Sequence, residues 1–272
     1  MNKEFYNVQA NCILRLKNFK CTKKIVVCGN DEGIEDFCKK YNLIHEPKIK
    51  TNELSKLGMV SDIFQKGLNH TIPGDYCCYL NSDILFNKNF DKTLLTFKEQ
   101  FPKKRDFLLI GRRMNTIHNN ELLTDKNYKK TVSSWKKELD RSNALDYFVF
   151  THDTYEYIPD LTVARWWWDD WLACSASMRN DVFDLTKSVN AYHLLSNYIK
   201  PELEKKFNRK FGVKERDELE QLDAKHSEDV RYNKGIGWPG DCELSSNYLS
   251  YSYKDDILFI RKREKQLKYN KG

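Results

Sequence analysis

No apolar run in this chain approaches the roughly 18 residues that a membrane-spanning helix needs, so no span is expected. The opening residues, Met-Asn-Lys-Glu-Phe-Tyr, hold no apolar secretory core, which predicts no signal peptide. No internal repeat and no low-complexity linker interrupts the sequence, and a single domain over residues 1–260 is the simplest division. The eight cysteines form no Cys-x-x-Cys pair, and no Cys/His spacing fits zinc. Several lie in apolar runs, where a free thiol packs as a small hydrophobe. All eight are therefore read as reduced, in an intracellular, cytoplasmic setting. No Gly-rich loop bearing Lys or Arg stands near the N-terminus, which counts against a nucleotidyltransferase.

The body also lacks a strong charge of either sign. The formal net charge is +7, but residues 261–272 hold six Lys or Arg and one acid, Glu264. That basic tail carries +5 and leaves only +2 for everything before it, which argues against a broad nucleic-acid footprint. The tail reads as a solvated end. What the body does have is apolar material: 40% hydrophobic and 13% aromatic residues, enough for a sizeable core.

That material is arranged as short strands and helices in alternation. Lys24–Cys28 is a β-branched run closed by Gly29-Asn-Asp-Glu-Gly33. Helical patterns follow at Ile34–Tyr41, Leu57–Leu68 and Phe90–Phe101, with strands at Leu43–His45, Tyr76–Leu80 and Phe107–Ile110 between and after them. Further strands are expected at Asp146–Phe150, Val182–Tyr192 and Ile257–Ile260, and helices at Trp166–Met178 and Asp241–Tyr251. Residues 200–231 are charge-rich with few apolar positions and read as a solvated helical insertion. Such alternation predicts an α/β fold with a mixed, mainly parallel sheet covered by helices on both faces.

Three segments could carry chemistry. The run Tyr76–Leu80 ends abruptly in Asn81-Ser82-Asp83 before Ile84–Phe86. A buried strand that delivers one carboxylate at its C-terminal edge suits a divalent-cation ligand beside a crevice; plain turn chemistry is the competing reading. Trp166-Trp-Trp-Asp-Asp-Trp171 is either aromatic core with acids capping a helix, or a sugar site. Indole faces suit pyranose rings, and an adjacent carboxylate can act as general base. Arg112 and Arg113 follow an apolar strand and could grip diphosphate or acceptor oxygens bidentately, or form surface ion pairs; the same choice holds for Arg165. His193 ends an apolar stretch and gains a metal role only if the fold carries it to Asp83.

Taken in order, these segments resemble the nucleotide-diphospho-sugar transferases of the GT-A (Rossmann-like) fold. In particular they resemble a branch with a Gly-Asp-x-x-Gly turn, an Asn-x-Asp strand end, a Gly-Arg-x-x-Trp-Asp-x-Trp-Leu segment and a late His. Here they read Gly29-Asn-Asp-Glu-Gly33, Asn81-Ser-Asp83, Ala164-Arg-Trp-Trp-Trp-Asp-Asp-Trp-Leu172 and His193, with Glu243-Leu-Ser-Ser-Asn247 beyond. Ala164 stands where the pattern has Gly. The resemblance covers about residues 7–250. It implies transfer of a sugar from a nucleotide diphosphate sugar, with UDP as the leading base, to a hydroxyl acceptor on a glycan or protein-linked glycan. It also implies Mn²⁺ or Mg²⁺ held by Asp83 and His193. Asp169 is then the base of an inverting attack, with Asp170 as backup one residue on. Asn81 occupies the first position of the metal motif, and Asp31 the turn that contacts the nucleobase. Arg112, Arg165 and Trp168 are expected to line the donor. The alternatives are a nucleotidyltransferase, or a glycan-binding relative with weak catalysis.

Overall fold

Two strands built around apolar runs, Phe107–Ile110 and Tyr147–Phe150, organise the molecule. In the computed structural model, which describes residues 6–53, 55–117, 121–124, 126–140, 144–165, 168–195 and 261–262, these are β5 (Phe107–Ile117) and β7 (Leu145–Phe150). Their side chains alternate between two faces. Phe107, Leu109, Tyr147 and Val149 pack beneath helix α4 (Asn89–Gln100), with Phe90, Leu94 and Phe97. Leu108, Ile110, Phe148 and Phe150 pack on the other face against Val60 and Phe64 of α3 (Val60–Asn69) and Trp168, Trp171 and Leu172 of α6 (Trp168–Arg179). A strand covered on both faces has no polar side, which is why these stretches show no alternation in the sequence.

The other elements attach to this frame. Helix α1 (Tyr6–Lys17) lies on β4 (Ile84–Phe86), sharing a cluster of Val8, Cys12 and Leu85 with Tyr192 and Leu194. Strands β1 (Val26–Cys28) and β2 (Ile44–Glu46) pair in parallel as a separate two-stranded sheet, with α2 (Ile34–Tyr41) between them in sequence. Strand β3 (Cys77–Leu80) runs antiparallel to β7. Helix α5 (Tyr128–Ser134) precedes β6 (Lys136–Leu139). Strands β8 (Asp181–Asp184), β9 (Ala191–Leu195) and β10 (Arg261–Lys262) complete the described elements.

The sheet is mixed, and the expectation of a mainly parallel one is corrected. Strand β5 is parallel to β8 and β9 but antiparallel to β7 and β6, and the pairs β3–β7, β4–β9 and β8–β10 are antiparallel too. Apolar runs and intervening helices looked like parallel crossovers, but double coverage produces the same runs whatever the strand direction. Two smaller corrections follow. Val182–Tyr192 is not one strand: β8 and β9 are separated by a turn. Arg261 and Lys262, at the head of the basic tail, pair with Asp184 and Phe183 rather than standing free of the sheet. The helical insertion at 200–231, the helix at Asp241–Tyr251 and the strand at Ile257–Ile260 lie outside the described residues.

Strand β5 changes partners along its length. Leu109 and Ile110 face β7 and β8, whereas Met114–Ile117 face β6 and β9. The switch occurs at a register shift between Ile110 and Arg112. Gly111 sits in it, and a Cβ there would meet the Tyr147 hydroxyl at 2.1 Å and the Thr186 nitrogen at 3.1 Å. The bulge therefore needs a residue without a side chain. That Tyr147 hydroxyl is buried with no hydrogen-bond partner among the described residues.

Gly111→Ala is expected to lower unfolding free energy by about 1–3 kcal/mol, the usual range for overpacking. Tyr147→Phe removes both the closest obstacle and a buried unpaired hydroxyl, so it should recover part of that loss in the double variant. Denaturant titration of the four proteins checks this, and a Gly111→Ala chain as stable as the parent would contradict the account.

Candidate active site

At the place where β5 changes partners, Arg113 enters a cluster of carboxylates. Its Nε donates to Asp140 Oδ2 at 2.8 Å and its Nη1 to Asp146 Oδ2 at 2.7 Å. Burial works against the guanidinium charge, but Asp146 and Asp140 outweigh it and hold the group above even its usual high pKa. The Asp146 side chain is only 8% exposed, and both its oxygens accept hydrogen bonds, from Arg113 and Asn81.

Two arms leave this centre. On one side, Asp146 Oδ1 accepts from Asn81 Nδ2 at 2.8 Å, and Asn81 Oδ1 accepts from the Tyr79 hydroxyl at 2.8 Å. Burial pushes the Tyr79 phenol well up, and the negative potential of Asp146, Asp83 and Asp169 pushes it the same way. On the other side, Asp140 Oδ2 also accepts from Asn115 Nδ2 at 2.9 Å, and Asn115 Oδ1 lies 3.1 Å from His193 Nδ1. His193 Nε2 in turn stands 3.3 Å from Asp83 Oδ2.

The backbone explains why these groups meet. Asn81 N bonds to the Asp146 carbonyl, and Leu194 N to the Asp83 carbonyl. The Asn81-Ser82-Asp83 turn thus steps from beside β7 to beside β9 across the bulge. Register then places His193 opposite both Ile84 of β4 and Asn115 of β5.

Asp83 and His193 therefore come together from distant parts of the chain. Asp83 exposes 39% of its side chain, while its Oδ1 is buried without a hydrogen-bond partner among the described residues. Burial opposes its ionisation, but His193 and then Arg113 overcome this and hold the carboxyl below its usual range. The donor set of one carboxylate and one imidazole fits a small divalent cation, and an orphaned carboxylate oxygen beside them fits it further. No group of three or more His, Cys, Asp and Glu suited to a metal occurs among the described residues. Two protein ligands suit a cation whose other positions are filled by substrate phosphates and water.

Asp169 sits in the first turn of α6, where the helix dipole favours a negative charge. Burial nevertheless dominates, and with Asp170 and Asp146 it pushes the Asp169 carboxyl well above its usual range. Asp170 is its neighbour in the same turn.

Other expected site residues lie elsewhere. Trp168 is 4% exposed and packs edge-on to Tyr79 and tilted against Phe148, so it is core and not an open sugar wall. Arg112 donates through Nε to the Asp140 carbonyl at 2.8 Å, with Nη2 on the same oxygen, and braces the loop instead of facing a donor. Arg113, its neighbour, is the one that enters the cluster. Asn81 is drawn into the network between Tyr79 and Asp146. Asp31 is exposed in the turn after β1, and no hydrogen bond or ion pair among the described residues joins it to Asp83. Arg165 donates to the Ala164 carbonyl at 3.0 Å. Ala164 itself has φ of 58°, a left-handed conformation that suits Gly, which is what the transferase pattern has there. Trp166 and Trp167 lie outside the described residues. The residues that sequence reasoning missed are Asp146, Asp140, Asn115 and Tyr79. An acid at the head of an apolar run was the available signal for Asp146, since a buried acid needs hydrogen-bonding partners.

Among the described residues, Cys12, Cys21, Cys28, Cys38, Cys77 and Cys78 are free, and Cys174 is fully buried in α6. No helix among the described residues is long and apolar enough to cross a membrane. Compared with protein-family profiles and with curated protein sequences, the chain matches none.

The raised Asp169 carboxyl has a consequence for stability. Unfolded, it ionises near about pH 3.9; folded, it holds its proton to higher pH, so its contribution to stability falls as pH rises through that window. Asp169→Asn escapes this penalty. The variant should melt at a higher temperature than the parent near about pH 7, with the difference vanishing near about pH 4. Thermal melts across that range check it, and a variant that is less stable at neutral pH would contradict it.

Proposed function

We propose that the chain is a metal-dependent glycosyltransferase of GT-A type, moving a sugar from a nucleotide diphosphate sugar to a hydroxyl acceptor. One observation carries the reading. The Asn81-Ser82-Asp83 turn and His193 meet at the edge of a doubly covered sheet, with Asp169 within electrostatic reach of the same group of acids. The order of motifs along the chain supports the same class.

Asp83 and His193 would hold Mn²⁺ or Mg²⁺. When bound, the cation supplies positive charge to the departing nucleoside diphosphate. Asp169 takes the proton of the acceptor hydroxyl, and burial has made it a stronger base than an ordinary carboxylate. The acceptor oxygen then bonds to the anomeric carbon as the bond to the diphosphate oxygen breaks on the opposite side, inverting that carbon. Asp146 adds negative potential near Asp169, which strengthens the base, and the hydrogen bond from Arg113 holds Asp146 in place. With Trp168 in the core, its part is to seat the first turn of α6, and so Asp169, against Tyr79 and Phe148.

Titration calorimetry with UDP, GDP and TDP, with and without Mn²⁺, is expected to find one nucleotide that binds only with the metal. Asp83→Ala should abolish that linkage with little change in the thermal transition, and unaltered metal-linked affinity would remove Asp83 from the site. With the donor so identified, Asp169→Asn should bind it within a few-fold of the parent but transfer sugar about 10²–10⁴ times more slowly. Asp170→Asn should lose much less. Full transfer by both variants would exclude this inverting mechanism.

A further inference from the structure

The polar arm from Arg113 to His193 contains a donor–acceptor sequence that fixes one ring nitrogen of His193. Asp140 Oδ2 accepts from Arg113 Nε at 2.8 Å and lies 2.9 Å from the Asn115 amide nitrogen. A carboxylate can only accept, so Asn115 must turn its NH₂ toward Asp140 and its Oδ1 toward His193. That oxygen, 3.1 Å from His193 Nδ1, can also only accept. Nδ1 must therefore carry the imidazole proton. Nε2 stands 3.3 Å from Asp83 Oδ2. Either it donates a second proton to that carboxylate, or it turns a lone pair toward it, and two lone pairs at that distance repel unless a cation lies between them.

We propose that Asn115, oriented by the Arg113–Asp140 pair, is the positioning residue that fixes the tautomer of His193 and so makes Nε2 and Asp83 Oδ2 a mixed nitrogen–oxygen site selective for a first-row cation such as Mn²⁺ over Mg²⁺. Imidazole nitrogen suits the first-row transition ions, whereas Mg²⁺ prefers oxygen alone. A partner on the far ring nitrogen fixes the orientation of a metal-binding histidine and raises its basicity. Register supports the assignment independently of side-chain geometry, because Asn115 and His193 are direct partners in the parallel β5–β9 ladder. The cation rests on the transferase reading; the tautomer does not, since it is a property of the metal-free protein.

The test reads the two separately. Histidine ¹⁵N–¹H correlation spectra of the metal-free parent, with His193 assigned through His193→Gln, should show a proton on Nδ1; a proton on Nε2 alone would overturn the proposal without any variant. In Asn115→Ala the Nδ1 preference should be lost, and Mn²⁺ affinity, followed by the electron paramagnetic signal of free Mn²⁺, should weaken about 10–100-fold. The parent should bind Mn²⁺ more tightly than Mg²⁺ in competition, and the variant should narrow that preference. An unchanged tautomer, unchanged Mn²⁺ affinity, or a parent with no preference for Mn²⁺ would each overturn it. A protein with the expected tautomer and Mn²⁺ binding but no sugar transfer would overturn the transferase reading and leave this assignment in place.

Discussion

Everything in the candidate site hangs on a buried guanidinium between two carboxylates. Arg113 exposes 23% of its side chain and its partners Asp140 and Asp146 only 18% and 8%, so none of the three can fall back on water. Removing one partner from such a group leaves an uncompensated buried charge, typically a loss of about 3–5 kcal/mol. The arrangement is therefore fixed by its own penalty for rearrangement. Each carboxylate also accepts from an amide, Asp146 from Asn81 on one side and Asp140 from Asn115 on the other. Both amides are thereby turned in a definite sense. Asn81 marks the start of the turn that presents Asp83, and Asn115 faces His193. One ion-pair centre thus aligns two elements that are remote in sequence.

The backbone serves the same end. A regular β5 would keep one pair of neighbours throughout. The bulge at Gly111 lets it exchange β7 and β8 for β6 and β9, and the Asn81-Ser82-Asp83 turn crosses at that exchange. Switch points of this kind are where α/β sheets open crevices for ligands. Strain gathers nearby: Ala164 holds a left-handed backbone just before α6, and Asp169 is a carboxyl kept in surroundings that disfavour its charge. Local features that work against stability are the ordinary mark of a functional site.

Much of the fold was legible in the sequence because double coverage leaves a plain signature. β7 differs from its expected bounds by one residue, α2 is as predicted, and the helices on both faces follow from the apolar runs. Strand direction was not legible, because an apolar run reports burial and not polarity. In the site, Asp83 and Asp169 were readable as acids beside apolar segments. The meeting of Asp83 with His193 was readable only through resemblance, since pairing of β4 with β9 is a long-range fact with no local trace. Arg112 was chosen over Arg113 because both follow the same strand. The register shift sets which side chain faces the cluster, and Gly111, which sits in it, leaves room for the Tyr147 hydroxyl. The aromatic segment misled for a similar reason: tryptophans that fill a core and tryptophans that stack on sugars look alike until burial is known.

The central claim is that the Arg113 network prepares Asp83 and His193 to share one cation. Anomalous diffraction at the manganese edge, from crystals grown with Mn²⁺ and a nucleoside diphosphate, tests it most directly. The account predicts a single peak bonded to both Asp83 Oδ2 and His193 Nε2, with Asn115 still on Nδ1. A peak on Asp83 with His193 turned away, or manganese bound only elsewhere, would contradict it.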